Sequence, residues 1–252
     1  MAVRSWLTGA LFFRLLAISA SAAWSVDSSE TEKSLAAGVE HRRVVLSETA
    51  SEQKATLELA LFSPKSVIVR VADNPAGDED LAAVMKRTRG LAGVNGGYFD
   101  PQNTPVGLLV SDGKLIAPFR KARLLSGVLV TVKDRVELLR AGGYSSRKRA
   151  TAALQCGPFL VDGGKAVAGL NNTRPARRTF VLTAADRVAI GYCSSVTLAE
   201  LADILVASSF NVQRALNLDG GSSSAFWFAG EHGVISIPEQ KTVRDFVVIT
   251  AK

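Results

Sequence analysis

The chain has 252 residues, 47% of them hydrophobic, with a formal net charge of +7, two histidines and two cysteines. That length and apolar content exclude a disordered chain and allow one domain with a sizeable core. The modest basic excess suits an anionic substrate or cell surface, and no zinc-finger, basic-zipper or RNA-binding signature points to nucleic acid as a partner.

Residues 1–23 read as a secretory signal peptide: Arg4 starts it, residues 7–18 are largely apolar, and Ala20-Ser21-Ala22 offers a small-residue cleavage site. The apolar run is short and broken by Arg14, which argues against a membrane span. The expectation is a periplasmic or secreted protein with no stable membrane insertion after signal removal, the alternative being an uncleaved N-terminal anchor. Residues 24–40 are small and polar and read as a flexible lead-in to a domain over 41–252.

Apolar and polar residues alternate over 39–46 and 55–62, the strand period, and 66–71 is a β-branched run. Residues 78–89 place apolar side chains at 81, 84 and 85, which predicts a helix with Asp78 or Asp80 near its start, ended by Gly90 and Gly93. A strand at 91–94 runs into Asn95-Gly96-Gly97-Tyr98-Phe99. Hairpins are expected around Ser111-Asp112-Gly113, around Lys133-Asp134-Arg135 and around residues 184–187. Residues 154–161 read as one strand, and Cys156 and Cys193 either pair or stand as separate buried thiols. Thr197 with Glu200 three residues on forms a capping box for a helix over 197–208. Strands at 215–218 and 243–250 close the chain, with an aromatic stretch at 226–228 between them. Many hairpins with a few helices predict an α+β fold: a mixed, largely antiparallel sheet with packed helices in a single domain.

Several chemistries are absent. No His-Glu-x-x-His zinc motif occurs, and Gly163-Gly164-Lys165 lacks the Ser or Thr of a phosphate loop. Gly220-Gly221-Ser222-Ser223-Ser224 is not a nucleophile elbow. Three polar segments at strand ends remain: Asn95 to Phe99, Thr173 to Thr179, and Leu216-Asn217-Leu218-Asp219-Gly220-Gly221-Ser222-Ser223.

These segments, taken in order with Val106-Gly107-Leu108, Ser111-Asp112-Gly113-Lys114, Gly157-Pro158-Phe159, Arg178-Thr179, Thr197-Leu198-Ala199-Glu200-Leu201 and Arg244, resemble the phosphodiester glycosidase family over about residues 60–251. The sequence departs from the family at Ser222 or Ser223, where a glycine is common, and at Leu182. The resemblance implies hydrolysis of the glycosidic C–O bond of sugar-1-phosphodiesters, in a cell-surface or extracellular polysaccharide, with an anionic glycan or sugar phosphate as partner. No cofactor is required on this reading, the metal question is open, and oxygen ligands in the turns leave room for a structural Ca²⁺.

Such a bond needs a carboxylate near the anomeric carbon and cationic or N–H donors on the phosphate. Asp219 is the first candidate carboxylate; the competing reading is an Asp that bonds its own turn. Asp100 is the second. Arg178 is the phosphate clamp, since a guanidinium forks onto two oxygens, with Arg174 and Arg177 beside it and Arg244 as a further clamp. Asn95, Gly96 and Gly97, with Gly220, Gly221 and Ser222, complete the expected substrate contacts. Tyr98, Phe99 and Trp227 either stack on a sugar or pack in the core. Asp112, Asp162 and Glu200 read as structural. A glycan-binding module without catalysis and a metal-dependent phosphodiesterase are the competing functions.

Overall fold

The computed structural model describes residues 24–36, 38–146 and 149–252; the expected signal peptide lies outside them. The chain begins with β1 (Trp24–Lys33), β2 (Val39–Glu48), β3 (Lys54–Phe62), β4 (Val67–Asp73), α1 (Leu81–Thr88) and β5 (Gly90–Asn95). Next come β6 (Leu109–Ser111), β7 (Lys114–Ala117), β8 (Gly127–Val132), β9 (Arg135–Arg140) and β10 (Ala152–Cys156). They are followed by β11 (Phe159–Asp162), β12 (Lys165–Ala166), β13 (Ala176–Thr183), β14 (Val188–Val196) and α2 (Leu198–Ala207). The last strands are β15 (Arg214–Asn217), β16 (Phe226–Gly230), β17 (Gly233–Ile237) and β18 (Asp245–Ala251).

This is a mostly β fold, which corrects the α+β expectation. Three antiparallel sheets are ordered β1-β2-β3-β14-β13-β15-β11-β12, β7-β6-β10-β8-β9 and β17-β16-β5-β18-β4, and the described residues hold only two α-helices. The sheets cover one another. One face of each contributes to a common core that includes Phe62, Leu129, Leu154, Val181, Phe226 and Val247. The strand period then sends neighbouring side chains outward. Phe180 and Leu182 lie beneath Leu201 and Leu205 of α2, and Phe246 and Val248 lie beneath Val84 and Met85 of α1. Val128 and Val130 lie beneath Phe119 and Tyr144. Hairpin signals in the sequence were local; the division of strands among three sheets depends on contacts distant along the chain.

Two further differences have physical reasons. Residues 24–33 form an edge strand paired with β2 instead of a flexible lead-in. Its residues are nearly all exposed, so no apolar alternation marks it, and the ladder of backbone hydrogen bonds forms without one. The expected strand over 154–161 is two strands in two sheets, broken at Gly157-Pro158. Pro158 has no amide hydrogen for a ladder, and Gly157 passes so near the next loop that a Cβ there would stand 2.3 Å from the Leu124 carbonyl oxygen. The cysteines are both free and buried, Cys156 in the shared core and Cys193 in the layer under α2.

The helix ends follow the sequence signals. The Asp80 side chain accepts from the Ala83 amide at the start of α1, and the Thr197–Glu200 capping box is complete in α2. Among the described residues no helix is long and apolar enough to cross a membrane.

Burial of both cysteines sets an expected outcome. A thiol reagent should find no reactive cysteine in the native protein and two after denaturation without reductant. A count of zero after denaturation would show a disulfide that the structure does not contain.

Candidate functional site

The site forms where β5, β13, β15 and β18 end together. Asn95, the last residue of β5, is fully buried. Its Nδ2 donates to the Asp219 carbonyl at 2.8 Å, and its Oδ1 accepts from the Thr179 hydroxyl at 2.8 Å and the Ala225 amide at 3.1 Å. Asn95 therefore holds the 219–225 turn against β13, and its side chain is spent on protein groups instead of pointing to substrate. The Asp219 amide donates to the Gly96 carbonyl at 3.0 Å. Asn217, on β15, donates to the Gly157 and Leu218 carbonyls and to the Tyr98 hydroxyl, which itself donates to Gly157.

The Asp219 carboxyl is largely buried. Its Oδ1 accepts from the Gly220 amide at 3.0 Å, so part of it serves its own turn. Burial raises its pKa above the usual carboxylate range, against the opposing effects of Ser223, Lys241 and the Gly220 amide. Lys241 lies over the Phe99 ring at 5.1 Å. The Ser223 hydroxyl makes no hydrogen bond of good geometry, yet it is near enough to favour the ionised form of Asp219. Gly221 takes φ 66°, the left-handed region, which favours glycine.

Arg178 borders this turn: a Cβ on Gly220 would stand 3.4 Å from its Nη1. Its Nε donates to the Val196 carbonyl at 3.1 Å and its Nη2 to the Arg174 carbonyl at 2.7 Å. No ion pair to a carboxylate is found for it among the described residues, and burial lowers its pKa. A half-buried guanidinium with no counter-ion favours an incoming anion.

Other expected site residues fall elsewhere or do other work. Arg174 is exposed, and only its backbone reaches Arg178. Arg177 ties the Ser224 and Pro238 carbonyls together and stacks over Tyr192. Arg244 is buried and ion-paired with Asp73, so it is not an open clamp. Asp100 caps its own loop, its Oδ1 accepting from Gln102 and Thr104. Ser222 is exposed, and its carbonyl accepts from the Gln240 amide. Phe99 and Trp227 pack beside α1. Asp112 pairs with Arg70, Asp162 pairs with Arg140 and Arg214, and Glu200 completes the cap of α2.

Sequence reading missed one carboxyl altogether. Asp245, the first residue of β18, is 1% exposed. Its carbonyl accepts from the Gly96 amide at 2.8 Å, and its Oδ1 accepts from the Gly97 amide at 2.9 Å. Burial pushes its pKa up to about 7; the Gly97 amide and Arg244 oppose the rise, and Asp73 and Asp219 add to it. The available signal was an Arg-Asp pair set directly before an apolar run, where a charge must either be paired or mark a site.

Nine buried side-chain polar atoms lack a hydrogen bond among the described residues, and all but those of Trp24 and Thr131 lie at residues 177, 217–224 and 239–245. Native folds keep such atoms rare, so their concentration here marks a functional region. A groove of about 860 Å³ lies at the other end of the β13–β14 hairpin, but Asp134, Asp162 and Arg187 on its walls are already ion-paired. Among the described residues no three His, Cys, Asp or Glu side chains group to hold a metal ion.

Two outcomes follow from Asp245. A Cβ at Gly96 would stand 1.8 Å from Asp245 Oδ1, so Gly96→Ala should cost about 1–3 kcal/mol in a urea denaturation series, as overpacking does. In the folded protein Asp245 keeps a proton that the unfolded chain loses near the ordinary Asp pKa. Stability should therefore fall as pH rises from about 4 to about 7 and then level. Asp245→Asn cannot titrate, and its stability should fall less steeply over the same window.

Residues 88–250 match the phosphodiester glycosidase family. No curated protein matches the sequence. The fold resembles that of the zebrafish N-acetylglucosamine-1-phosphodiester alpha-N-acetylglucosaminidase catalytic domain, described as auto-inhibited by its pro-peptide. That alignment has a TM-score of 0.68 and 17% identity, covering 91% of this chain and 89% of that one. A hypothetical protein from Synechocystis aligns with a TM-score of 0.68 and 12% identity over 92% of this chain and 68% of its own. An exported protein from Burkholderia pseudomallei aligns with a TM-score of 0.59 and 14% identity over 80% and 75% of the two chains. At these identities the structures speak to the fold alone, whereas the family match spans more than half of the sequence: the chain belongs to the phosphodiester glycosidase family.

Proposed function

We propose that this protein hydrolyses the glycosidic C–O bond of a sugar-1-phosphodiester, in a cell-surface or extracellular polysaccharide. The observation that carries the reading is the half-buried Arg178 guanidinium, without a carboxylate partner among the described residues, against the backbone of Gly220, whose amide donates to the Asp219 carboxyl. An anion-binding group and a reacting carboxylate next to each other suit a substrate with a phosphate on its anomeric oxygen.

On this reading Arg178 takes the phosphate oxygens and fixes the anomeric carbon near Asp219. The bond between the anomeric carbon and the phosphate oxygen breaks, and its electron pair leaves with the phosphate. Phosphate is a good leaving group, so little acid assistance is needed. Charge on the sugar ring is then balanced by the Asp219 carboxylate. Water supplies the new oxygen on the anomeric carbon, and its proton passes to a carboxylate or to solvent. Partial burial of Asp219 strengthens its interaction with the developing positive charge. The basic net charge and the apolar N-terminal segment support an extracellular anionic substrate.

The test uses a p-nitrophenyl sugar-1-phosphodiester series in water enriched in heavy oxygen. Label is expected in the free sugar, and Asp219→Asn should lose nearly all turnover. Arg178→Ala should lower kcat/KM about 10- to 100-fold, the worth of one or two charge-assisted hydrogen bonds. Label in the phosphate, or turnover abolished by chelator, would show a metal-dependent phosphodiesterase instead. Tight glycan binding with no turnover would show a binding module.

A further inference from the structure

Asp100, the second carboxyl expected from the sequence, has its Oδ1 taken by the 102–104 loop amides. Asp245 stands elsewhere in the molecule and meets the site from below. Its carbonyl and its Oδ1 receive the two successive amides of Gly96 and Gly97, and the Gly96 carbonyl receives the amide of Asp219. A single peptide turn thus separates the two aspartates. The turn and the carboxyl are built around each other, since a side chain at Gly96 would occupy the place of Oδ1. The other oxygen, Oδ2, is buried and has no hydrogen-bond partner among the described residues. Stability alone does not favour such an oxygen, because an apolar residue of similar shape would cost less.

We propose that Asp245 is the second carboxyl of the site, a positioning residue that sets the Gly96-Gly97 turn beneath Asp219 and couples its own charge to that of Asp219. The proposal takes Asp219 as the reacting carboxylate from the functional reading above. The groups that face Asp245 are Arg244 beside it on β18, Asp73 on the neighbouring β4, Asp219 across the turn and the Cys156 thiol on β10. Arg244 is engaged by Asp73, so among the described residues Asp245 has no ion-pair partner of its own. Burial and the two neighbouring carboxylates favour its neutral form. While Asp245 is neutral, Asp219 bears the only negative charge at the turn. Once Asp245 ionises, repulsion across the turn opposes the charge on Asp219.

The experiment follows the side-chain carboxyl carbons of labelled aspartate in the full chain by NMR, from about pH 3 to about pH 9, a range that spans the free and raised carboxylate values. Wild type, Asp245→Asn and Asp100→Asn are compared. The Asp219 signal of the wild type should show two inflections, the second at the pH where Asp245 itself titrates. Asp245→Asn preserves shape and the acceptor for the Gly97 amide, and it should lose the second inflection; Asp100→Asn should keep it. An Asp219 curve unchanged by Asp245→Asn overturns the proposal. Should that variant fail to fold, the wild type decides alone, since the lack of a shared inflection overturns the proposal equally.

The same variants are then assayed on the sugar-1-phosphodiester. The decline of kcat on the alkaline side should flatten in Asp245→Asn and remain in Asp100→Asn, and an identical profile in all three counts against the coupling. A wild type that turns over no phosphodiester removes the functional reading, while the NMR titration still decides the role of Asp245.

Discussion

The Asn95 side chain makes hydrogen bonds to three residues on two segments, and the geometry of the site depends on them. It ends a strand of one sheet, holds the carbonyl of Asp219, and meets Thr179 from another sheet. Thr179 and Ala225 are buried, and removing the amide would leave Thr179 and the Asp219 carbonyl bonded only to each other and the Ala225 amide without this acceptor, at about 1–3 kcal/mol for a group left unsatisfied. The two sheets are therefore locked together by polar contacts at the end where the site lies. Behind that point apolar packing takes over, with Val94, Phe226 and Val247 in the shared core.

Charge follows the same division. Away from the site, acids and bases are matched: Asp112 with Arg70, Glu79 with Arg87, and Asp162 with two arginines. At the site the matching fails. Among the described residues Arg178 has no carboxylate partner, burial raises the pKa of both Asp219 and Asp245, and the unsatisfied polar atoms gather around them. These are costs that the three-sheet core bears elsewhere, and such local violations of packing and pairing rules are characteristic of functional sites.

The turn chemistry explains why small residues recur here. The Asn95-Gly96-Gly97 turn needs room for Asp245 Oδ1 at its second position, and the Asp219-Gly220-Gly221 turn needs a left-handed residue at its third. Gly220 also lets the Arg178 side chain lie against the backbone. A Cβ at Gly96 would displace Asp245 Oδ1, and one at Gly220 would press on the Arg177 carbonyl and the Arg178 guanidinium.

Much of this was legible in the amino-acid order. The helix caps at Asp80 and Thr197, the hairpin turns, the family resemblance, and the grouping of Asn95, Arg178 and Asp219 rest on local signals or short motifs, and these survive without knowledge of the fold. Tertiary structure alone decided the rest. Periodicity reports which residues face inward but not which sheet they join, so three stacked antiparallel sheets were read as one sheet with helices. Motifs named Asn95 without revealing that its amide is consumed within the protein, and they offered Arg244 without its partner Asp73. Asp245 lies 148 residues from the Gly97 amide it accepts. Its role is a matter of burial and of groups brought together from opposite ends of the domain, and neither quantity exists until the chain is folded.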